Sequence, residues 1–166
     1  MSKTTKPKWV TEAEICNAIE AKQEELLYVN PYTKLYREFE IGHHRADFIL
    51  FGARPLEIVV IEVKITADIW AIDQCAKYVR LLEEQLSWWS ASTGNKLPIS
   101  VRGEVWARWI DESVWNVAQI ARIGLSRIAI ESDGTIGVSV EPYPLLLPTL
   151  QENVSDALNS LVVTHG

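Results

Sequence analysis

From Thr11 onward the apolar positions fall at helical spacing, with Ile15, Ala18, Ile19 and Leu26 on one stripe. Thr11 and Glu14 stand in the spacing of a capping box and open this helix. Lys22 interrupts the stripe and is expected to lay its stem along the core edge with its ammonium in water, and Asn30-Pro31 ends the element. The period then changes to two. Leu35, Phe39 and Ile41 alternate with Tyr36, Glu38 and Glu40, so Lys34 to Ile41 reads as a half-buried strand closed by a turn at Gly42. Arg45 to Phe51 and Glu57 to Lys64 are strand-like runs separated by Gly52-Ala53-Arg54-Pro55, which predicts an antiparallel hairpin.

A long helix follows, starting near Thr66 or Asp68 and carrying Ile72, Cys75, Val79, Leu82, Leu86 and Trp89 on one face. Beyond the Gly94-Asn95 break and Pro98, the pattern predicts a strand over Glu104 to Trp109 and a helix over Asp111 to Ile123. A second hairpin is expected over Arg127 to Val140, through Asp133-Gly134. A strict two-residue turn there would oppose Ile130 to Gly137 and mix the faces, so a longer loop or a bulge is expected. Pro142, Pro144 and Pro148 form a stiff connector, and a short helix around Val154, Leu158, Leu161 and Val162 closes the chain. The order αβββαβαββ predicts an α/β fold, a mixed central sheet flanked by helices. Its αβββαβ core is followed by a C-terminal helix and β-hairpin extension.

Length adds that 166 residues make one domain, with a core over about residues 9–123 and the hairpin and tail over about 124–166. With 48% hydrophobic residues the core needs neither disulfides nor a structural metal. The apolar runs fall far short of the ~18 residues of a membrane span, and the polar, basic Met1 to Lys8 segment has no secretory character. Cys16 and Cys75 form no metal-spaced cluster and read as reduced core thiols, so a cytoplasmic setting without membrane contact is expected. The net charge of −6 has the wrong sign for gripping nucleic acid by bulk electrostatics. Of the 16 basic side chains, 13 lie in residues 1–102, so any nucleic-acid surface belongs to the first two thirds.

The charged residues inside the strands carry the chemistry. In the apolar run from Glu57 to Lys64, alternation places Glu62 and Lys64 on the face of Ile58 and Val60. Their Cα atoms are then roughly 6.5 Å apart. If the preceding loop centres on Arg54-Pro55, Asp47 falls opposite Glu62 on the same face, with Cβ atoms about 4.5–5.5 Å apart. Two carboxylates that close in an apolar sheet must protonate or bind a cation. Oxygen donors suit Mg²⁺ or Mn²⁺, which take the rest of their shell from water and phosphate. Lys64 beside them supplies a fixed positive charge, and metal, water and phosphate are the parts of a phosphodiester hydrolase. The plainer alternative is that Glu62 and Lys64 end the strand at its solvated edge, paired with each other.

Asp47 followed fifteen residues later by Glu62-Val63-Lys64 at the end of an Ile/Val strand resembles the signature of the PD-(D/E)XK nuclease superfamily, the restriction-endonuclease-like fold. A Glu-bearing helix before the first strand, the Arg45-Ala46-Asp47-Phe48 run and the Gln-x-x-x-Tyr run Gln74 to Tyr78 agree with it, as does the order of elements to about residue 110. Ala46 stands where the name-giving pattern has Pro. The resemblance implies a Mg²⁺- or Mn²⁺-dependent deoxyribonuclease. It implies Asp47 and Glu62 as metal ligands, Lys64 as the catalytic lysine, the Val63 carbonyl as a further ligand and Gln74 as the helical glutamine near the metal. For the first-helix carboxylate Glu12 is preferred, because Glu14 is already used by the capping box.

Arg45 shares the side of Asp47 and could contact a phosphate or pair with Glu62. His44 could touch substrate, although a solvated turn is the plainer reading of His43-His44. Gln74 could equally be an ordinary exposed helix residue, and Tyr78 reads as packing. Trp70, Trp88, Trp89, Trp106, Trp109 and Trp115 could stack on bases, but their positions suit a core or a dimer interface better. Exposed Trp or hairpin edges would suit a homodimer. The second function considered is a catalytically inactive domain of the same fold that binds protein or DNA.

Overall fold

The computed structural model describes residues 10–25, 32–53, 56–94, 99–129 and 139–142. Helix α1 (Glu12–Ala21) opens on the expected capping box, in which the Thr11 side chain accepts from the Glu14 backbone and the Glu14 carboxylate accepts from Thr11 N–H. Strands β1 (Tyr32–Ile41), β2 (His44–Ala53) and β3 (Leu56–Ala67) follow, then the long helix α2 (Ile69–Thr93) and strand β4 (Ser100–Ile110). A 3₁₀ turn (Glu112–Val114), helix α3 (Trp115–Ala121), strand β5 (Ile123–Ala129) and strand β6 (Ser139–Pro142) complete the described chain. The predicted order of elements and the mixed α/β sheet flanked by helices are what the structure shows.

The six strands lie in chain order, β1-β2-β3-β4-β5-β6. β1 to β3 are antiparallel, β3-β4-β5 are parallel, and β6 returns antiparallel to β5. Parallel neighbours need a crossover, which α2 supplies between β3 and β4 and α3 between β4 and β5. Asp68 caps α2 by accepting from Ala71 N–H at 2.8 Å, and Gly94, with φ of 69°, ends it. Thr66 lies in β3 rather than at the helix start.

Two apolar layers sandwich the sheet. On one face Ile49, Ile58, Val60, Val105 and Leu125 pack with Ile72, Cys75 and Leu82 of α2 and Ala118 of α3. On the other, Phe48, Leu50, Val59, Ile61 and Val63 pack with Ile15, Cys16 and Ile19 of α1. Gly103 brings α2 close to β4, since a Cβ there would stand 2.7 Å from Cys75 Sγ and 2.8 Å from Ile123 Cδ1. Both cysteines are buried and free, as expected. Among the described residues no helix is long and apolar enough to cross a membrane.

Several expectations are corrected. Glu38 has a φ of 51°, which rotates β1 by one face. Leu35 therefore enters the α1-side core while Phe39 and Ile41 join the α2-side core, instead of all three sharing a face. α1 breaks at Lys22, its C-cap, and helix resumes over residues 23–25, so the expected single run is interrupted there, and its expected end at Asn30-Pro31 lies outside the described residues. Trp89 lies exposed on α2 rather than in its buried stripe. The region from Asp111 to Ile123 splits, because Arg122 ends α3 in the left-handed region and Ile123 already pairs with Gly103. The last hairpin pairs Ala129 with Ser139, one residue off the register of a strict two-residue turn, as the face argument required. Leu26, Asn30-Pro31, Arg54-Pro55, Asn95, Pro98, Asp133-Gly134, Pro144, Pro148 and the terminal helix lie outside the described residues.

Candidate active site

The site grows out of the hairpin register. Pairs from Ala53↔Leu56 to Phe48↔Ile61 all follow the register expected from the Arg54-Pro55 loop, which makes Asp47 and Glu62 the next positions. Beyond the last pair the Asp47 carboxylate takes over, accepting from Val63 N–H at 2.8 Å. A side chain thus bridges the strands where regular pairing stops.

Glu62 is 1% exposed, and its carboxylate meets Asp47 and Lys64. Burial, and next the charge of Asp47, push its pKa up to about 8, while Lys64 opposes them. The backbone N–H of Asp47 also favours its ionised form. One carboxylate oxygen, Oε1, is buried without a hydrogen-bond partner among the described residues. An orphaned buried acceptor costs about 1–3 kcal/mol and is rare in folded proteins.

Lys64 Nζ stands 3.9 Å from Glu62 Oε2 and 3.9 Å from Glu12 Oε2, with the lysine side chain 24% exposed. Both separations exceed hydrogen-bond length, so these are charge contacts that leave the ammonium's donor geometry uncommitted. Glu12 reaches Lys64 from α1, although alternation puts Glu62 and Lys64 in the row facing α2. The two faces of the sheet therefore communicate where β2 and β3 cease to pair. Glu14, by contrast, is held at Thr11, whose N–H donates to its Oε2 at 2.9 Å.

The remaining candidates separate. Gln74 Nε2 donates to Tyr78 Oη at 3.0 Å, and the His44 ring lies 5.7 Å from the Tyr78 ring, so both are organised by a buried tyrosine of α2. His44 is accordingly the first residue of β2, not part of a solvated turn. Arg45 points away from Glu62 and contacts Glu40 at 3.6 Å and Glu38 at 3.9 Å on β1. Cys16 was legible only as a core thiol, yet it lies in the field of this cluster. Burial and then Asp47 push it up to about 12, Arg37 opposes, and Glu12 and Glu62 add to the rise. No pattern in the sequence marks that proximity, because α1 is joined to the site only through tertiary packing.

Among the described residues no three His, Cys, Asp or Glu side chains form a ready-made cage for a metal ion. The donors still fit a hard cation. Two carboxylates crowd one end of a strand pair, one with an unsatisfied buried oxygen, and Mg²⁺ is commonly held by one or two carboxylates with the rest of its shell from water and phosphate.

Parallel β3-β4-β5 joined by helices, an antiparallel β1-β2-β3 meander and charged residues where β2 and β3 part define a restriction-endonuclease-like fold. The chain is similar to the crystal structure of a repair endonuclease from Pyrococcus abyssi, with a TM-score of 0.52 and 23% identity over 75% of this chain and 49% of that one. It also matches an EndoMS–dsDNA complex (TM-score 0.45, 22% identity, 75% of this chain and 47% of that one). EndoMS in its apo form matches at a TM-score of 0.43 and 20% identity, over 76% of this chain and 50% of that one. The chain spans about half the length of these structures. No protein-family model and no curated protein matches it. At 23% identity the likeness to the Pyrococcus abyssi structure shows the fold alone.

Proposed function

We propose that this chain is a metal-dependent nuclease that hydrolyses phosphodiester bonds of DNA, with Mg²⁺ or Mn²⁺ held by Asp47 and Glu62. The observation that carries the reading is the buried Glu62 Oε1 with no hydrogen-bond partner, beside a second carboxylate and a lysine. A domain that only scaffolds has no need to keep this acceptor unsatisfied. The repair-endonuclease fold of the Pyrococcus abyssi protein supports the reading.

When bound, a divalent cation supplies positive charge that polarises a phosphoryl oxygen and acidifies water. The chain's own residues do the rest. Asp47 is fixed by Val63 N–H, so one of its oxygens is oriented before any ligand arrives. Glu62 must be ionised to serve as a ligand, and Lys64 favours that form. The Lys64 ammonium, in charge contact with Glu12 and Glu62, is placed to meet the negative charge that builds on phosphate oxygens in the transition state. Glu12 balances that ammonium and can join the ligand set, as can the Val63 carbonyl. Gln74 and His44, both held by Tyr78, would serve in substrate placement from the α2 side.

The test is incubation with plasmid, single-stranded, flapped and branched DNA in Mg²⁺ or Mn²⁺. Cleavage that stops with EDTA and in Lys64→Ala, while Lys64→Ala still binds Mn²⁺, supports the reading. A folded protein that cuts none of these substrates in either metal overturns it and leaves the inactive binding domain in its place.

A further inference from the structure

Most tryptophans were expected to pack, yet Trp109 is 52% exposed and Trp70 79% exposed. Their places in the fold are not arbitrary. Trp109 pairs with Thr66 across β3-β4, in the row where Val105 and Ala107 pair with Glu62 and Lys64. At about 3.3 Å per residue and about 4.8 Å between strands, its Cα is roughly 8 Å from that of Lys64. Ile69 and Trp70 open α2 just after β3 ends at Ala67, so they stand at the same end of the sheet. The Arg108 guanidinium lies over the Trp109 ring, 5.3 Å from its centre.

We propose that Trp109, backed by Arg108, is a stacking platform for an unpaired nucleobase beside the candidate active site. The inference rests on the DNA reading above and adds to it the form of DNA that the site takes. A net charge of −6 cannot provide strong grip on a duplex backbone through bulk attraction. The acidic caps Asp68 and Asp111 stand at the same sheet end and repel a second phosphate strand. Stacking on an indole is indifferent to both and tolerant of sequence. An arginine over the ring adds cation–π attraction and a positive charge within reach of the nucleotide's own phosphate. The strand thus arrives as a single chain, one base on Trp109 and a neighbouring phosphate toward Lys64. Trp88, 74% exposed, lies toward the other end of α2.

The experiment is fluorescence anisotropy of a labelled single-stranded oligonucleotide, of the same strand carrying abasic sites, and of a blunt duplex, all in EDTA. Trp109→Ala is expected to weaken binding of the intact strand about 5- to 150-fold, the range for losing one base–aromatic stack. Trp109→Phe should keep most of the affinity and Trp88→Ala all of it. The wild-type protein should bind the abasic strand about 5- to 150-fold more weakly than the intact one, a comparison that holds even if the variant folds poorly. Equal affinity of the wild-type protein for intact and abasic strands overturns the platform while leaving the nuclease reading intact. Failure of the wild-type protein to bind any DNA also overturns the platform, and the cleavage assay in Mg²⁺ or Mn²⁺ then decides the nuclease reading separately. Sedimentation showing that Trp109→Ala splits a dimer, with single-strand affinity unchanged, assigns the residue to a contact between copies and also overturns the platform.

Discussion

β3 and β4 carry two charged clusters, one toward each end, and they are built in opposite ways. Toward the start, Arg102 Nε donates to Glu57 Oε1 at 2.6 Å, Arg102 Nη1 pairs with Glu104, and Trp106 Nε1 donates to the other Glu104 oxygen at 2.6 Å. Toward the end, Lys64 contacts Glu62 and Glu12 at 3.9 Å, and Glu62 Oε1 has no hydrogen-bond partner among the described residues. Both clusters place carboxylates in the same sheet. The first meets its charges with short, directional bonds. The second holds more charge than its hydrogen bonds satisfy, and that surplus is what a cation or a phosphate would meet.

The contrast can be broken first at the open end. Asp47→Ala and Lys64→Ala should each lower DNA cleavage by about 10²–10³-fold or more, as expected for losing a group that stabilises transition-state charge, with melting temperatures near that of the parent. Loss of cleavage matched by loss of fold would make the open cluster as structural as the closed one. At the closed end the expectation reverses. Arg102→Ala removes the donor that Glu57 and Glu104 share and should cost about 1–3 kcal/mol of stability, read by urea unfolding, with Mn²⁺ binding unchanged.

Glu62→Gln sharpens the comparison through pH. A carboxyl whose folded pKa is raised to about 8 binds its proton more tightly in the folded state than in the unfolded one. Stability of the metal-free protein should therefore fall as pH rises from about 4.5 toward 8. In Glu62→Gln that slope should be gone, and thermal melting at several pH values in EDTA checks it. Thr11→Ala is the mildest change. Losing the cap should cost about 1 kcal/mol and loosen the turn that carries Glu12. A Lys64–Glu12 contact that matters should show as a small fall in cleavage, whereas an unchanged rate would set Glu12 outside the chemistry.

The hairpin register was legible because a short loop between two apolar runs sets which residues oppose, and that arithmetic placed Asp47 next to Glu62. Lys64 followed from alternation alone. Arg45 did not, because the left-handed φ of Glu38 turns β1 locally and brings Glu38 and Glu40 to its guanidinium. A backbone irregularity at a glutamate inside an alternating run leaves no trace in composition. Trp89 and Trp109 were less legible for a different reason. Helical and strand periodicity show which residues share a face but not where a packed neighbour ends, so for a tryptophan at the end of α2 or β4 they leave a core and a dimer interface open as alternatives, and the core stops short of both. The closed cluster went unseen because Glu57, Arg102 and Glu104 meet only once β3 and β4 pair in parallel across a long crossover.

Calorimetric titration with Mn²⁺ tests the open cluster most directly. Saturable binding that disappears in Asp47→Ala and in Glu62→Gln but survives in Lys64→Ala is the expected result. No binding by the parent protein, or binding that Asp47→Ala leaves unchanged, would contradict it.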